Sequence, residues 1–346
     1  MINTLIVDDS EMVRDILRDF LESEGSFNII GEAADGEEGV EKILSLNPDL
    51  VTMDIEMPKM TGLEVIETVM KKVSVPIVVI SSHDTAKNAY EAALKGALEF
   101  YSKDTFTAGL KPEKQKEIYE TLKRISGIKS QKTINSGEIK NDSMPLPEKQ
   151  NIRLPQQDSQ RIIQAVVLAS STGGPKALSR FFTLLPGNFT VPIIIVQHNS
   201  SGFDSSFAQW LDTFTDMKVK IAEESETLAP GTVYIAPTDK HLELQGYTLR
   251  YNDSEPEINQ KPAADVLFRT AAQSLKRSVI SVVLTGMGSD GAAGTKAIKE
   301  AGGITLAQDE ESSLIYGMPR AAAETRCVDI VLPLERIPDE LVRLTG

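Results

Sequence analysis

The sequence predicts an α/β protein made of two doubly wound domains, each with a mostly parallel sheet, joined by a flexible linker. Three observations support this prediction. The 346 residues exceed the usual size of one hydrophobic core, so two domains are expected. Short β-branched apolar runs alternate with helical patterns in two blocks of the chain. Between the two blocks lies a stretch that has neither pattern.

The first domain is predicted over residues 1–122. Apolar runs at Thr4–Val7, Leu50–Met53 and Ile77–Ile80 have the composition of buried parallel strands. Helical patterns such as Glu11–Leu21 lie between them. In a doubly wound sheet, ligands bind outside the carboxyl ends of the strands, so polar residues at those ends are the candidates for function.

The linker is predicted over residues 123–160, where Ser, Asn, Gln, Lys and Pro are frequent and apolar periodicity is weak. The second domain, residues 161–346, restarts the alternation with strand patterns such as IIQAVVLAS, VPIIIVQH and VISVVLTGMG. Helical patterns at Pro175–Leu185 and Ala263–Leu275 lie between strand patterns. The two domains therefore share a fold class but carry different residues at their strand ends.

Composition and charge narrow the classes of function. The 36 basic and 50 acidic residues give a net charge of -14, which disfavours nucleic acid and membrane surfaces as partners. A single cysteine, Cys327, excludes an internal disulfide, and its surroundings TRCVDIVL predict a buried position in a strand. Neither a signal peptide nor a membrane span is predicted, which indicates a cytoplasmic protein.

Carboxylates are predicted to converge in the first domain. Asp8 and Asp9 follow the first strand, and Asp54 follows a later strand whose end can lie beside it. Such a cluster favours a hard divalent cation, and Mg²⁺ is usual where phosphate also binds. Ser81 and Lys103 end two further strands, where they could hold the oxygens of a phosphoryl group on Asp54. Each residue alone could be a helix cap, but the joint pattern favours a site.

The order VDDS, MDIEMPKMTGLE, SS after an apolar strand, and YSK resembles the receiver domain of two-component response regulators. The resemblance implies that Asp54 is the phosphoacceptor and that Phe100 is the switch aromatic. It also implies that Asp8 and Asp9 bind the metal ion together with Asp54. Ser81 and Lys103 are the phosphate-sensing residues that it implies. One departure is Asp104, because receivers usually have a proline after the lysine, and the shape of this loop is therefore left open.

A candidate nucleophile lies in the run LASSTGGPKAL. It places Ser170, Ser171 and Thr172 at a strand end, before two glycines and a helix with Pro175 in its first turn. A serine there lies above a helix N-terminus, whose free N–H groups favour developing negative charge. The same turn could bind phosphate or merely cap the helix, so a nearby base is needed to indicate a hydrolase.

Three histidines offer that base. His83 belongs to the first domain and is expected in a solvent-facing loop. His241 precedes an alternating strand, where it could contact substrate or support a loop. His198 ends the apolar run VPIIIVQ, which is the same topological position as Ser171, and is therefore favoured.

The orienting acid has two candidates. Asp290 lies in the glycine-dense turn LTGMGSDGAAG after a strand, and Asp309 lies in AQDEES. An aspartate before a helix is most often a cap, and that reading applies to Asp290 as well. The chain order Ser–His–Asp does not exclude a triad, because triads are defined by geometry. Asp290 is favoured.

The motifs ASSTGGP, VQH, VYIAP, LTGMGSDGAAG and AQDEESS resemble the catalytic domain of the chemotaxis protein-glutamate methylesterases, the CheB family. The resemblance runs from about residue 162 to the C-terminus. It implies that Ser171 is the nucleophile, His198 the base and Asp290 the orienting acid. The positions of Thr172 and Met287 line the family's active site, with backbone N–H groups near Met287 as oxyanion donors.

Two departures from the family pattern stand out. Asn199-Ser200-Ser201 lies where the family usually has Met-Pro-Pro, and Ser170 replaces a residue that is usually alanine. The first change bears on the substrate groove. Neither change removes a catalytic group.

The resemblance implies a phosphorylation-activated serine esterase of bacterial chemotaxis. It would hydrolyse glutamate γ-methyl esters on methyl-accepting chemotaxis receptors, release methanol and deamidate specific receptor glutamines. The implied partners are these receptors and a chemotaxis histidine kinase, with Mg²⁺ for phosphorylation, no cofactor for the esterase step, and a monomeric chain. Two alternatives stay open: a phosphorylation-dependent adaptor with an inactive hydrolase domain, and a serine esterase with a substrate outside chemotaxis.

Overall fold

The computed structural model describes residues 1–82, 86–107, 110, 112–128, 161–199, 202–257 and 260–346. They form two α/β domains, each built on one parallel sheet, so the predicted fold class is confirmed. Most of the predicted linker, residues 129–160, lies outside the described residues. The predicted domain boundaries at residues 122 and 160 therefore stay a prediction.

The first domain contains five parallel strands. They are β1 (Ile2–Val7), β2 (Phe27–Ala33), β3 (Leu50–Met53), β4 (Ile77–Ser81) and β5 (Glu99–Ser102), in the spatial order β2-β1-β3-β4-β5. The helices are α1 (Glu11–Ser23), α2 (Gly36–Leu46), α3 (Gly62–Met70), α4 (Ala86–Lys95), α5 (Asp104–Thr107) and α6 (Pro112–Ser126).

Both faces of this sheet are buried, as consecutive residues of β1 illustrate. Leu5 and Val7 belong to a hydrophobic cluster that includes residues of α2, α3 and α4. Ile6 points the other way and belongs to a cluster with residues of α1 and α6. Helices on both faces explain why the strands are continuous apolar runs without polar alternation.

The second domain contains a larger parallel sheet. Its strands are β6 (Ala165–Ser170), β7 (Ile193–Gln197), β8 (Lys218–Ile221), β9 (Thr232–Ile235), β12 (Val279–Val283), β13 (Ile304–Gln308) and β14 (Ile330–Leu332), in the order β14-β13-β12-β6-β7-β9-β8. An antiparallel hairpin of β10 (His241–Gln245) and β11 (Thr248–Asn252) packs on this domain. The helices are α7 (Gly174–Leu184), α8 (Asp204–Asp212), α9 (Ala264–Leu275), α10 (Ala292–Glu300), α11 (Met318–Glu324) and α12 (Ile337–Thr345).

Each sheet has a pair of central strands from which the chain proceeds in opposite directions. The pair is β1 and β3 in the first domain, and β6 and β12 in the second. Crevices that bind ligands form at such points, outside the carboxyl ends of the strands. Asp8 and Asp54 follow the first pair, whereas Ser171 and Asp290 follow the second. The fold therefore places the predicted site residues at the two expected crevices.

Cys327 does not lie in a strand, contrary to the prediction. It is partly buried in the segment between α11 and β14, and its backbone N–H donates to the Thr325 hydroxyl at 3.1 Å. This turn after α11 delays the entry into the sheet until Ile330. In the described part of the chain, no helix combines the length and the apolar character that crossing a membrane requires.

Candidate active site

Ser171 lies where the chain turns from β6 into α7. Gly173, just before the helix, has a φ of 77°, which glycine adopts without strain. The Ser171 backbone N–H donates to the Thr285 carbonyl at 3.0 Å, which ties this turn to the segment after β12. A Cβ atom on Gly286 would lie 2.8 Å from the Ser171 Cβ atom, so only glycine lets the two segments approach. The serine is held in a tight turn at a helix N-terminus.

Gln197, the last residue of β7, connects the turn of Ser171 to the segment of His198. Its side-chain oxygen accepts a hydrogen bond from the Ser170 hydroxyl at 2.7 Å. Its side-chain nitrogen donates to the Ser171 carbonyl at 3.1 Å and to the His198 carbonyl at 2.9 Å. Ser170 and Gln197 are buried, so these bonds satisfy groups that water cannot reach. The serine that departs from the family pattern therefore has a structural role here.

His198 and Asp290 are hydrogen-bonded to each other. His198 follows β7, Asp290 lies between β12 and α10, and 2.8 Å separates His198 Nε2 from Asp290 Oδ2. In the tautomer that donates this bond, Nδ1 is left as an acceptor for a serine hydroxyl. Among the described residues, no hydrogen bond joins the Ser171 hydroxyl to the ring. Catalytic hydrogen bonds commonly tighten only when substrate binds.

Asp290 is buried, yet it is surrounded by donors. Its carboxylate accepts backbone hydrogen bonds from Ala264 at 2.6 Å, Asp265 at 2.8 Å and Gly291 at 2.9 Å. Burial raises the pKa of Asp290, but the bond to His198 and the backbone donors outweigh it, so the pKa is lowered overall. The carboxylate therefore stays charged beside the imidazole.

The rival candidates lie elsewhere. His241 is fully buried, and its ring binds the Ala263 backbone N–H and the Glu255 carbonyl, each at 3.1 Å. Asp309 accepts hydrogen bonds from the backbone N–H and the hydroxyl of Ser312, which close a local turn. Both are engaged in structural contacts. His83, Ser200 and Ser201 lie outside the described residues.

The first domain covers the Ser171 site. A cavity of about 180 Å³ remains between the domains and is lined by residues of both. The Thr172 hydroxyl donates to Glu99 Oε2 on β5 at 2.7 Å, and the Thr121 hydroxyl of α6 lies 3.7 Å from Met287 Sδ. Thr172 and Met287, which were predicted to line the active site, are thus in contact with the first domain.

Two glutamates of the first domain lie at this interface. Glu117 Oε1 accepts a hydrogen bond from the Gln260 side chain at 3.0 Å. Burial raises the pKa of Glu99, although the hydrogen bond from Thr172 opposes the shift. Glu99 precedes Phe100 on β5, so a movement of this strand would alter the contact beside Ser171.

Aromatic rings join the two domains next to these glutamates. Phe100 is buried and stacks on Phe203, with ring centroids 5.7 Å apart and an interplanar angle of 26°. Tyr90 of α4 stacks on Trp210 of α8 at 5.3 Å, and its hydroxyl donates to the Phe203 carbonyl at 3.2 Å. The predicted switch aromatic therefore packs against the segment that follows His198.

The acidic crevice of the first domain contains Asp8, Asp9 and Asp54. Oxygen atoms of the three carboxylates all lie within 4.8 Å of one another, and Asp8 and Asp54 are buried. Lys103 Nζ lies 2.8 Å from Asp8 Oδ2 and 2.8 Å from Asp54 Oδ2. Ser81 is buried at the end of β4, opposite the residue that precedes Lys103. Asp8, Asp54 and Lys103 thus meet at one point, with Asp9 beside them and Ser81 at the end of a neighbouring strand.

Burial and charge determine the protonation of this crevice. Burial raises the pKa of Asp54 to about 6, with the negative charge of Asp8 adding to the shift and Lys103 opposing it. Burial also raises the pKa of Asp8. One lysine does not neutralise the cluster. An oxygen-rich, incompletely neutralised site of this kind fits a hard divalent cation.

Two residues at these sites escaped the sequence reasoning. Asp265 lies in the first turn of α9 beside Asp290, and Glu99 lies beside Thr172. An aspartate in a first turn is typical of any helix, and one glutamate in the strand LEFYS is typical of a solvent-facing position. Both contacts join segments that are distant in sequence, and no local pattern could have revealed them.

Comparisons with known proteins identify the family of each domain. The family model described as CheB methylesterase matches residues 166–341, and the response regulator receiver domain model matches residues 4–112. The protein-glutamate methylesterase/protein-glutamine glutaminase of Pyrococcus abyssi is 39% identical and covers 99% of this chain and 93% of its own length. The protein of that name from Geobacillus kaustophilus is 38% identical and covers 100% and 99%.

A solved structure agrees with the second domain. The catalytic domain of the CheB methylesterase of Thermotoga maritima is 41% identical in sequence and superposes with a TM-score of 0.51. It covers 53% of this chain and 98% of its own length. The similarity therefore concerns the part of the chain that carries Ser171, His198 and Asp290.

Proposed function

This chain belongs to the CheB methylesterase family, and from that premise we propose that it is a phosphorylation-activated serine esterase. Its substrates are glutamate γ-methyl esters on methyl-accepting chemotaxis receptors, and its products are glutamate and methanol. It also deamidates specific receptor glutamines. The names of its relatives, at 38–39% identity over nearly the whole chain, support both activities.

In the proposed reaction, Ser171 Oγ attacks the γ-carbonyl carbon of the methylated glutamate while His198 Nδ1 accepts the serine proton. The bond between the carbonyl carbon and the methoxy oxygen then breaks, and methanol leaves with that proton. Asp290 stays ionised throughout and stabilises the imidazolium through the 2.8 Å contact to Nε2. The glutamyl group is left as an ester on Ser171.

Water completes the cycle. Its hydroxyl adds to the acyl carbon, its proton passes through His198 to Ser171, and glutamate is released. Deamidation follows the same path with ammonia as the leaving group. We assign the stabilisation of the oxyanion to backbone N–H groups near Met287, because the N-terminus of α7 and this loop both border Ser171.

The proposed control site is Asp54. A carboxylate oxygen of Asp54 takes the phosphoryl group from the phosphohistidine of a chemotaxis kinase, and Ser81 and Lys103 hold the new phosphoryl oxygens. Asp8, Asp9 and Asp54 have the oxygen donors and spacing to bind Mg²⁺. When bound, Mg²⁺ neutralises charge between the carboxylates and the incoming phosphoryl group.

Phosphorylation controls access to Ser171 in this proposal. The unphosphorylated receiver domain covers the site through Glu99 on Thr172 and Thr121 on Met287. Movement of Lys103 and Ser81 toward the phosphoryl group repacks the end of β5, which also carries Glu99 and Phe100. The cover then separates from the esterase domain. We place this activity in the cytoplasm, where the receptors present their methylated helices.

A single observation carries the proposal: Ser171, His198 and Asp290 follow neighbouring strands of one sheet, and the last two are hydrogen-bonded. The test is methanol release from methyl-labelled receptor membranes, with and without a small-molecule phosphodonor and Mg²⁺. Ser171→Ala is the active-site variant. Ser170→Ala is its matched control, since the neighbouring buried serine bonds to Gln197 and has no assigned catalytic role.

We expect release by the wild type to rise with the phosphodonor and to vanish in Ser171→Ala, with Ser170→Ala still active. Release that survives Ser171→Ala would contradict the assignment of the nucleophile. No release from any variant would favour the adaptor, or an ester outside chemotaxis. Methanol release that does not change with the phosphodonor would support the esterase activity but refute its control through Asp54.

A further inference from the structure

Asp290 and Asp265 cap each other's helices. The Asp290 carboxylate accepts the backbone N–H groups of Ala264 and Asp265 at the start of α9, at 2.6 and 2.8 Å. The Asp265 carboxylate accepts the backbone N–H group of Gly294 in the first turn of α10, at 2.6 Å. Free N–H groups at a helix start need such acceptors when they are buried. The two helix starts are therefore locked together by two side chains.

The packing between these helices leaves little freedom. A Cβ atom on Gly294 would lie 2.4 Å from the Phe268 Cβ atom and 3.2 Å from the Asp265 Cα atom. Asp265 and Asp290 are 1% and 2% exposed, so water cannot replace a lost acceptor at either helix. The loop that carries Asp290 leads directly into α10, and its position depends on where α10 begins.

The two carboxylates have opposite electrostatic surroundings. The charged groups that face Asp265 are Asp290 from the adjoining loop and Arg269 one turn further along α9. Burial raises the pKa of Asp265 to about 6, with the charge of Asp290 contributing, whereas the pKa of Asp290 is lowered. Neighbouring acids whose pKa values are separated in this way commonly divide their tasks. Asp290 carries the charge, and Asp265 accepts a backbone N–H group whether or not it is protonated.

We infer that Asp265 is a positioning residue of the esterase, which fixes the start of α10 and so holds Asp290 Oδ2 against the His198 ring. This inference rests on the proposed function. It differs from an ordinary helix-capping role, because a mere cap contributes to stability without altering the titration of His198. A positioning role makes the basicity of His198 depend on Asp265, two contacts away.

The test compares three substitutions in the full-length chain, assayed with phosphodonor and Mg²⁺. Asp265→Ala removes the acceptor of the Gly294 N–H group. Asp265→Asn keeps an oxygen of the same geometry. Asp329→Ala is the matched control: Asp329 Oδ2 likewise accepts a backbone N–H group, that of Thr305, and its other oxygen pairs with Lys299 in the last turn of α10, away from the start of that helix. The readouts are the pH profile of kcat/KM and the pKa of His198 from NMR of the histidine ring protons.

We expect Asp265→Ala to lower kcat/KM by about 10- to 100-fold, as small displacements of catalytic groups do. Its acid limb and the pKa of His198 should move to lower pH, because the imidazolium loses its aligned carboxylate. Asp265→Asn should remain within about three-fold of the wild type if the acceptor is what matters. Asp329→Ala should leave both titrations unchanged.

A wild-type pKa of His198 and an unmoved acid limb in Asp265→Ala would overturn the inference, whatever the loss of rate. If Asp265→Ala does not fold, Asp265→Leu, which fills a similar volume without an acceptor, takes its place under the same criteria. Failure of the proposed function is a separate result: it requires that the wild type shows no Ser171-dependent methanol release. The NMR titration needs no substrate and tests the positioning role even then.

Discussion

The two crevices of this protein contain the same ingredients in different arrangements. Each has a pair of buried aspartates beside one cationic or potentially cationic side chain. In the receiver crevice these are Asp8 and Asp54 with Lys103. In the esterase crevice they are Asp265 and Asp290, the latter in contact with His198.

The difference lies in the groups around each carboxylate: Asp290 is bonded to His198 and to backbone N–H groups, whereas Asp54 lies beside the negative charge of Asp8. Asp54 accepts one backbone hydrogen bond, from Ile55 at 2.7 Å, and burial raises its pKa to about 6. Asp290 accepts three, and its pKa is lowered although it is just as buried. Burial alone therefore does not determine the charge of a carboxylate. The receiver crevice lacks positive charge, which favours the binding of a metal ion. In the esterase crevice, His198 and backbone N–H groups already stabilise the charge of Asp290.

The largest effect on activity should come from removing the negative charge of Asp290 in the esterase crevice. We expect Asp290→Asn to lower kcat for methanol release by about three to four orders of magnitude, because the imidazole loses its tautomer and the stabilisation of its cationic form. Asp309→Asn, the rival acid, should retain full activity since Asp309 only closes a local turn. Equal losses in the two variants would refute the distinction.

The same substitution should have opposite effects on stability in the two crevices. The folded-state pKa of Asp54 is raised, so this group stabilises the fold below its ordinary pKa of 3.8 and loses that contribution as the pH rises through about 6. In metal-free buffer at pH 7.5, Asp54→Asn should therefore stabilise the receiver domain, by on the order of 2 kcal/mol. The gain should fade as the pH falls towards 4.

Asp290 should behave in the reverse manner. Its pKa is lowered in the fold, so its contribution is present above its ordinary value of 3.8 and is lost as the pH falls through the lowered value. Asp290→Asn should thus destabilise the esterase domain at neutral pH. Calorimetric unfolding of the full-length chain at pH 4.5 and 7.5 measures both variants. Shifts of the same sign at pH 7.5 would contradict the opposite pKa shifts of the two carboxylates.

A smaller effect is expected where the two crevices communicate. Glu99→Ala removes the acceptor of the Thr172 hydroxyl and should raise methanol release without phosphodonor by about ten-fold, given the usual net contribution of one hydrogen bond. Glu22→Gln alters an exposed carboxylate on α1 and is the control. Unchanged basal methanol release in Glu99→Ala would show that the contact between Glu99 and Thr172 does not keep the receiver domain over Ser171.

The smallest effect is spectroscopic. Trp210 is the single tryptophan of the sequence, and it is buried against Tyr90 of the receiver domain. Phosphodonor with Mg²⁺ should shift its emission to longer wavelength as the stacked rings separate and water reaches the indole. Asp54→Asn should show no shift. A shift of equal size in that variant would indicate an effect unrelated to phosphorylation.

The sequence predicted the fold class and those site residues that directly follow buried strands. The fold class was confirmed, and Ser171, His198 and Asp290 were proposed because polar residues that follow buried strands must meet at one edge of a parallel sheet. The structure brings His198 and Asp290 into contact, while their catalytic roles stay predictions.

Contacts between distant segments were beyond the sequence. Asp265 was invisible because its partner Gly294 lies 29 residues away, across β12. Glu99 was invisible because the face of β5 that it occupies is covered by another domain. Cys327 was wrongly predicted to lie in a strand. The predicted strand included the polar turn that precedes β14, which begins only at Ile330. For Asp265 and Glu99 the deciding interaction was tertiary, whereas for Cys327 it was a local turn.

The cavity above Ser171 makes the resting protein a filter by molecular size. Its volume of about 180 Å³ is below the range of ordinary ligand pockets, roughly 300–1,000 Å³, and far too small to admit a helix about 10 Å across. Entry of a glutamyl ester carried on a protein helix is therefore hindered, whereas a small free ester can enter more readily. The ratio between the rates of hydrolysis of these two esters, rather than either rate alone, measures how far the receiver domain obstructs Ser171.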